Sequence, residues 1–366
     1  MTLLRTVFTS VATLAALAAL PISSSAAIGG SQYWNTGQAI RLSGADRYET
    51  AVEVSEYEFG APGVASTIVV ASGENYPDAL VAGPLASLLN APLILTGKDS
   101  LPEIARKNIK WVFDGVADAE IDIYVVGGTS AVSDSVVAEL QNIHPNIRVE
   151  RLAGIDRYET ARLVAGRFSS NDSIFLANGA SFPDALAASG PASDRDVHYN
   201  LMPILLVKGT MLDPNLHNWI SERVEPGILK SVSLVGGTDV LDSRVEGEIE
   251  YIAQQQSVTV NIARLSGNNR YETARAVAQH FYPMGVDSIG IASGENFPDA
   301  LVGGQDSGKA AALDQTQAFL LTPPDSLHSA VVDFVNANAA SLNSAVVYGG
   351  VEAVSEGTRL QLESLL

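Results

Sequence analysis

An eleven-residue signature occurs three times in this chain, so any fold must accommodate three copies of one unit. Each copy reads R-L-x-G-x-[DN]-R-Y-E-T-A, at 41–51, 151–161 and 264–274, with offsets of 110 and 113 residues. Three further markers follow in the same order each time. The first is an aromatic residue before Pro-Asp-Ala-Leu, with Tyr76, Phe182 and Phe297 leading the copies. The second is an apolar run: Pro92, Leu93, Ile94, Leu95; then Pro203, Ile204, Leu205, Leu206; then Phe319, Leu320, Leu321. The third is a glycine pair after an apolar segment, at 127–128, 236–237 and 349–350.

Within each copy the pattern alternates strand and helix. In the first, 39–42 reads as a strand, 46–59 as a helix with one apolar stripe, and 67–71 as a strand buried on both faces. Pro77 opens a second helix, 93–95 is a third strand, 102–113 a helix, 121–126 a strand and 132–141 a helix. Such alternation predicts an α/β protein of three tandem units, each a doubly wound parallel sheet with its ligand-binding side at the strand C-terminal ends. The units differ in one connection. Asp78 precedes Pro92 by 14 residues, whereas Asp184 precedes Pro203 by 19 and Asp299 precedes Ala318 by 19.

Comparing copies sorts the polar residues. Asp46 with Glu49, Asp156 with Glu159 and Asn269 with Glu272 have capping-box spacing. Asn in the third copy caps as well as Asp but cannot exchange a proton, so these positions read as structural. Asp78, Asp184 and Asp299 fall in a first helical turn and also read as structural. The paired arginines of each copy, Arg41 and Arg47, Arg151 and Arg157, Arg264 and Arg270, have two readings: pairing with those aspartates, or binding an anionic ligand. The apolar runs read as core strands.

No catalytic or metal-binding pattern stands out, and no cofactor is expected. The five histidines lie outside every repeated motif, and there is no cysteine for a disulfide or thiolate site. The segment 303–309 matches G-x-x-x-x-G-K, but Ala310 replaces the Ser or Thr a phosphate loop needs, and the run lies in or after a helix. The formal charge is −19, about −20 without Arg5, which disfavours nucleic acid and anionic lipid as partners. Arg5, an uncharged apolar run at 7–20, Pro21 and the small residues Ser25, Ala26 and Ala27 read as a signal peptide. No later stretch is apolar enough to be a transmembrane helix.

Taken together, the four ordered markers resemble the type 2 cell-wall-binding repeat (CWB2) of secreted Gram-positive proteins, over 38–366. The resemblance implies 1–27 as signal peptide, 28–37 as a short leader, and repeats at 38–148, 149–261 and 262–366. It implies flavodoxin-like units packed with pseudo-threefold symmetry. It also implies a secreted protein attached non-covalently to an anionic, teichoic acid-like wall polysaccharide, with autolysins or S-layer components as further partners. By position, the polymer would meet Arg41, Arg47, Arg151, Arg157, Arg264 and Arg270, with Pro92, Leu93, Ile94, Leu95, Pro203, Ile204, Leu205 and Leu206. Only 28–38 lies between the expected cleavage site and the first unit, so the anchor is expected to be the whole protein. The competing expectations are a secreted hydrolase or autolysin modulator using the strand-end clefts, and a self-assembling S-layer-like protein.

Overall fold

The computed structural model describes residues 37–114, 120–169, 172–194, 201–225, 227–309 and 316–366. The expected signal peptide, and all of the leader but Gly37, lie outside the described residues, as do parts of the longer connections of the second and third copies. The first copy runs β1 (Gln38–Leu42), α1 (Arg47–Phe59), β2 (Thr67–Ser72), α2 (Tyr76–Ala79), α3 (Ala82–Leu89), β3 (Leu93–Thr96), α4 (Glu103–Phe113), β4 (Ile121–Val126) and α5 (Asp134–Gln141). The second runs β5 (Ile147–Leu152), α6 (Arg157–Ala165), β6 (Ser173–Asn178), α7 (Pro183–Ser193), β7 (Ile204–Val207), α8 (Pro214–Val224), β8 (Ser231–Val235) and α9 (Ser243–Gln255). The third runs β9 (Asn261–Leu265), α10 (Arg270–Phe281), β10 (Ser288–Ser293), α11 (Pro298–Lys309), β11 (Gln317–Thr322), α12 (Ser329–Asn338), β12 (Ser344–Tyr348) and α13 (Glu356–Glu363).

These strands make three four-stranded parallel sheets, ordered β3-β2-β4-β5, β7-β6-β8-β9 and β1-β12-β10-β11. The sequence repeat and the sheet are therefore out of step by one strand. Read as self-contained, the first copy would place β1 beside its own strands. Instead β5 completes the first sheet, β9 the second, and β1 crosses the whole chain to pair with β12, Gln38 opposite Ser344 and Leu42 opposite Tyr348. The ring of three units closes through its first strand.

Both faces of each sheet are covered, so strand residues are apolar on both sides. In β2 the alternation is direct. Ile68 and Val70 face an outer core with Ile109 of α4 and Leu140 of α5, while Val69 and Ala71 face the central core shared by all three units. At the centre α3, α7 and α11 pack on one another. Small residues let them approach: Gly83 lies over Gln305, Gly304 over Ser189 and Gly308 over Ser193. The first copy alone breaks this central helix, into α2 and α3. The break falls at Leu80, whose carbonyl would meet Pro84 in the first turn of α3, a residue with no amide hydrogen to give it.

Candidate functional site

The signature loops sit at the C-terminal ends of β1, β5 and β9, immediately before α1, α6 and α10. Asp46 Oδ1 accepts from the backbone amides of Tyr48 and Glu49 at 2.8 and 3.0 Å. Asp156 accepts from Glu159, and Asn269 from Tyr271 and Glu272. The glutamates reach back one residue beyond the cap: the amides of Ala45, Ile155 and Asn268 donate to Glu49, Glu159 and Glu272 at 2.7–3.0 Å. This close return requires glycine at 44, 154 and 267, where a Cβ would collide with the glutamate. These groups are consumed in shaping the loop.

The six arginines fall into two classes. Arg41, Arg151 and Arg264 each donate Nη1 to the carbonyl of a glycine-pair turn, at Gly349, Gly127 and Gly236, over 2.7–2.9 Å. Each also pairs with an acid in the first turn of the next helix: Glu356 of α13, Asp134 of α5 and Glu246 of α9, at 2.9–3.3 Å. They are cross-braces between one repeat and the sheet before it. Arg47, Arg157 and Arg270 instead donate Nη1 to Gly73, Gly179 and Gly294 at 2.5–2.6 Å and form no salt bridge among the described residues. Each keeps guanidinium hydrogens for another acceptor.

Asp78, Asp184 and Asp299 lie between these elements. Their carboxylates press on the glycine-pair turn, whose first residue needs a positive φ (+118° at Gly127, +117° at Gly236). Burial pushes all three carboxyls above the ordinary value of 3.8. The opposing pull comes from a threonine hydroxyl and an arginine of the following repeat: Thr160 and Arg157 for Asp78, Thr273 and Arg270 for Asp184, Thr50 and Arg47 for Asp299. The expected Arg–Asp relation is thus between repeats, not within one. At the closing junction, a crevice of about 400 Å³ is lined by Asp46, Arg47, Asn296, Asp299, Gly350 and Val351.

A raised carboxyl pKa contributes stability that is fully present below the unfolded value and lost as pH rises through the folded one. Relative to D78N/D184N/D299N, the native chain should gain stability as pH falls from neutral towards about 4. Urea denaturation across that range checks this, and a gain towards high pH would contradict it.

The expected polymer contacts at Pro92, Leu93, Ile94, Leu95, Pro203, Ile204, Leu205 and Leu206 need correction. All eight are buried, Ile94 and Leu205 completely, because β3 and β7 are covered on both faces. An external chain cannot reach them. Residues 303–309 lie in helix α11, where Gly303 makes room for the Tyr348 ring, so they form no phosphate loop.

One group the motifs did not flag as a site gathers at the centre of this face. Tyr76 meets Phe182 and Phe297 edge to face, with centroids 5.4 and 5.9 Å apart, and Phe182 and Phe297 lie tilted at 6.1 Å. Arg157 lies 5.9 Å from the Tyr76 centroid and Arg270 6.0 Å from that of Phe182. The aromatic position before Pro-Asp-Ala-Leu was visible three times in sequence; its convergence was not. Among the described residues no group of three His, Asp or Glu side chains is placed to hold a metal, and no helix is long and apolar enough to cross a membrane.

Comparisons with known proteins bear on this arrangement. N-acetylmuramoyl-L-alanine amidase LytC of Bacillus subtilis (strain 168) is 28% identical over 324 residues, 88% of this chain and 58% of the relative. The amidase enhancer of the same organism is 27% identical over 74% of this chain and 33% of its own length. The chain thus spans between a third and three fifths of these relatives. Among solved structures, Cwp6 from Clostridium difficile superposes with a TM-score of 0.77 at 26% identity, over 90% of this chain and 48% of that one. Cwp8 from the same organism gives 0.75 at 26% identity, over 90% and 52%. The sequence profile of cell wall binding domain 2 (CWB2) matches residues 41–137, 151–246 and 264–359, so the chain belongs to the CWB2 family.

Proposed function

We propose that this chain is a secreted, non-catalytic wall-binding protein, attached non-covalently to an anionic secondary polymer of the teichoic acid kind. The observation that carries the reading is the division of the arginines. Three are spent on carboxylates and carbonyls; the other three, one per repeat and all on the strand-end face, keep donors for an anion. Locally placed arginines also answer the charge objection, since a surface near −20 repels a polyanion in bulk.

The test is co-sedimentation of the chain with Gram-positive cell walls before and after extraction of secondary polymers. Binding is expected to intact walls and to fall after extraction; equal binding to both defeats the polymer, and binding to neither defeats wall attachment. R47Q/R157Q/R270Q should weaken wall binding by about tenfold or more with the fold retained. R41Q/R151Q/R264Q removes the same charge but should act on stability, by about 1–2 kcal/mol per site. If the two triples lose binding equally while folded, the arginines act only through net charge.

The names of two relatives, an amidase and an amidase enhancer, favour a working place beside wall-degrading enzymes. A hydrolase centre would require groups peculiar to one unit. The caps, the returning glutamates and both arginines of the strand-end face instead recur in all three.

A further inference from the structure

The three arginines with spare donors, one per repeat, invite the expectation of three equivalent binding sites. The aromatic residues point elsewhere, to a single composite site. Tyr76, Phe182 and Phe297 each begin or precede the central helix of their repeat, so the pseudo-threefold axis passes among them on the strand-end face. Ala79, Ala185 and Ala300, three residues further along each helix, are buried. The rings themselves are only half-buried. A plug serving stability alone would lie fully below the surface. These rings instead form a triangular patch 5.4–6.1 Å on a side, close to the span of one pyranose ring.

The electrostatics choose the occupant. Aromatic faces carry negative charge and attract polarised C–H groups, of which a pyranose presents a flat set. Arginines stand at the rim, Arg157 and Arg270 over two of the rings and Arg47 next to Asp299, two residues from Phe297, each facing one of the buried aspartates. That disfavours a quaternary ammonium, which a ring cluster would otherwise suit. Glu74, two residues before Tyr76, is turned aside: it accepts from the Tyr48 hydroxyl at 3.2 Å and the Lys98 amide at 3.4 Å. Burial and Glu74 push the Tyr48 phenol up to about 12, so it remains a donor.

We propose that the axis forms one site per chain for a sugar ring bearing a phosphate, with the ring on the three aromatics and the phosphate on the rim arginines. The inference rests on the wall-polymer reading and adds its location and stoichiometry.

Glucose 1-phosphate is the probe, followed by saturation-transfer NMR and by titration, with glucose and inorganic phosphate as separate arms. The expected result is one equivalent per chain, bound more tightly than either arm alone. F182L/F297L should lower affinity by about tenfold or more. R157Q/R270Q should erase the advantage of glucose 1-phosphate over glucose. Three equivalents per chain, or unchanged binding by a folded F182L/F297L, overturns the proposal; if that variant fails to fold, R157Q/R270Q decides it. Wild-type chain that sediments with walls yet ignores the probe defeats the axial site and leaves wall attachment standing. Wild-type chain that does not sediment defeats the underlying reading.

Discussion

Replacing Gly308 by valine is expected to lower the free energy of unfolding by about 3 kcal/mol, the upper end of ordinary overpacking. Gly308 lies in α11 where that helix crosses α7. A Cβ there would fall far inside van der Waals contact of the Ser193 backbone carbon and oxygen. Backbone cannot turn aside as a side chain can, so the helices must separate. All three units meet at this centre, and the separation would loosen their shared core. Gly247 supplies the matched control. It is also helical, in α9, but a Cβ there meets nothing within 4 Å. Gly247→Ala should stabilise by about 0.5–1 kcal/mol through backbone entropy alone. Urea denaturation of both variants reads the opposite signs; a neutral Gly308→Val would mean the centre is loosely packed.

A chain begun at Ser43, without β1, is expected to lose on the order of 3 kcal/mol once buried side chains are set against ordering entropy. The loss should be local. Ala39 and Leu42 leave the core, and Gly349 loses its Arg41 brace. Arg359 Nη1 no longer finds the Ala39 carbonyl at 2.7 Å, nor Glu363 the Ala39 amide at 3.1 Å. Hydrogen exchange should therefore accelerate first in β12 and α13, at the far end of the sequence, while the sheet of β2–β4 stays protected. The repeat geometry also supplies a rescue. Residues 142–146 join α5 to β5, and 364–366 occupy the corresponding place after α13. A linker of about two residues from Leu366 to Gln38, with new ends opened at His144, should restore the strand and its protection. Uniform loss of protection across the chain on removing β1, or a permutant that fails to recover it, would show that β1 does more than close the third sheet.

Three units, their strands and helices, the helix caps and the apolar core runs were all legible in the sequence. They depend on patterns within about twenty residues: period, cap spacing and a run apolar on both faces. The sequence even contained its own control, since Asn269 stands where Asp46 and Asp156 do and serves as the same cap. Which sheet a strand joins is not local in this way. A parallel strand such as β1 carries the same apolar pattern whether its partner lies nearby or 306 residues away, as Ser344 does from Gln38. The two arginines of each signature were likewise indistinguishable by spacing. Arg41 is spent because Glu356 comes to it from the other end of the chain, whereas Arg47 donates to the Gly73 carbonyl and meets Asp299 without a salt bridge. The resemblance drew attention to Pro92, Leu93, Ile94 and Leu95 and their counterparts as contacts, yet coverage of both sheet faces withdraws them from solvent. By itself, then, the sequence determined the repeated unit, because secondary structure and burial follow local pattern. The tertiary structure alone decided how the three copies share strands, which arginines stay free and that three aromatic residues meet on one axis, because each depends on contacts between residues far apart in the chain.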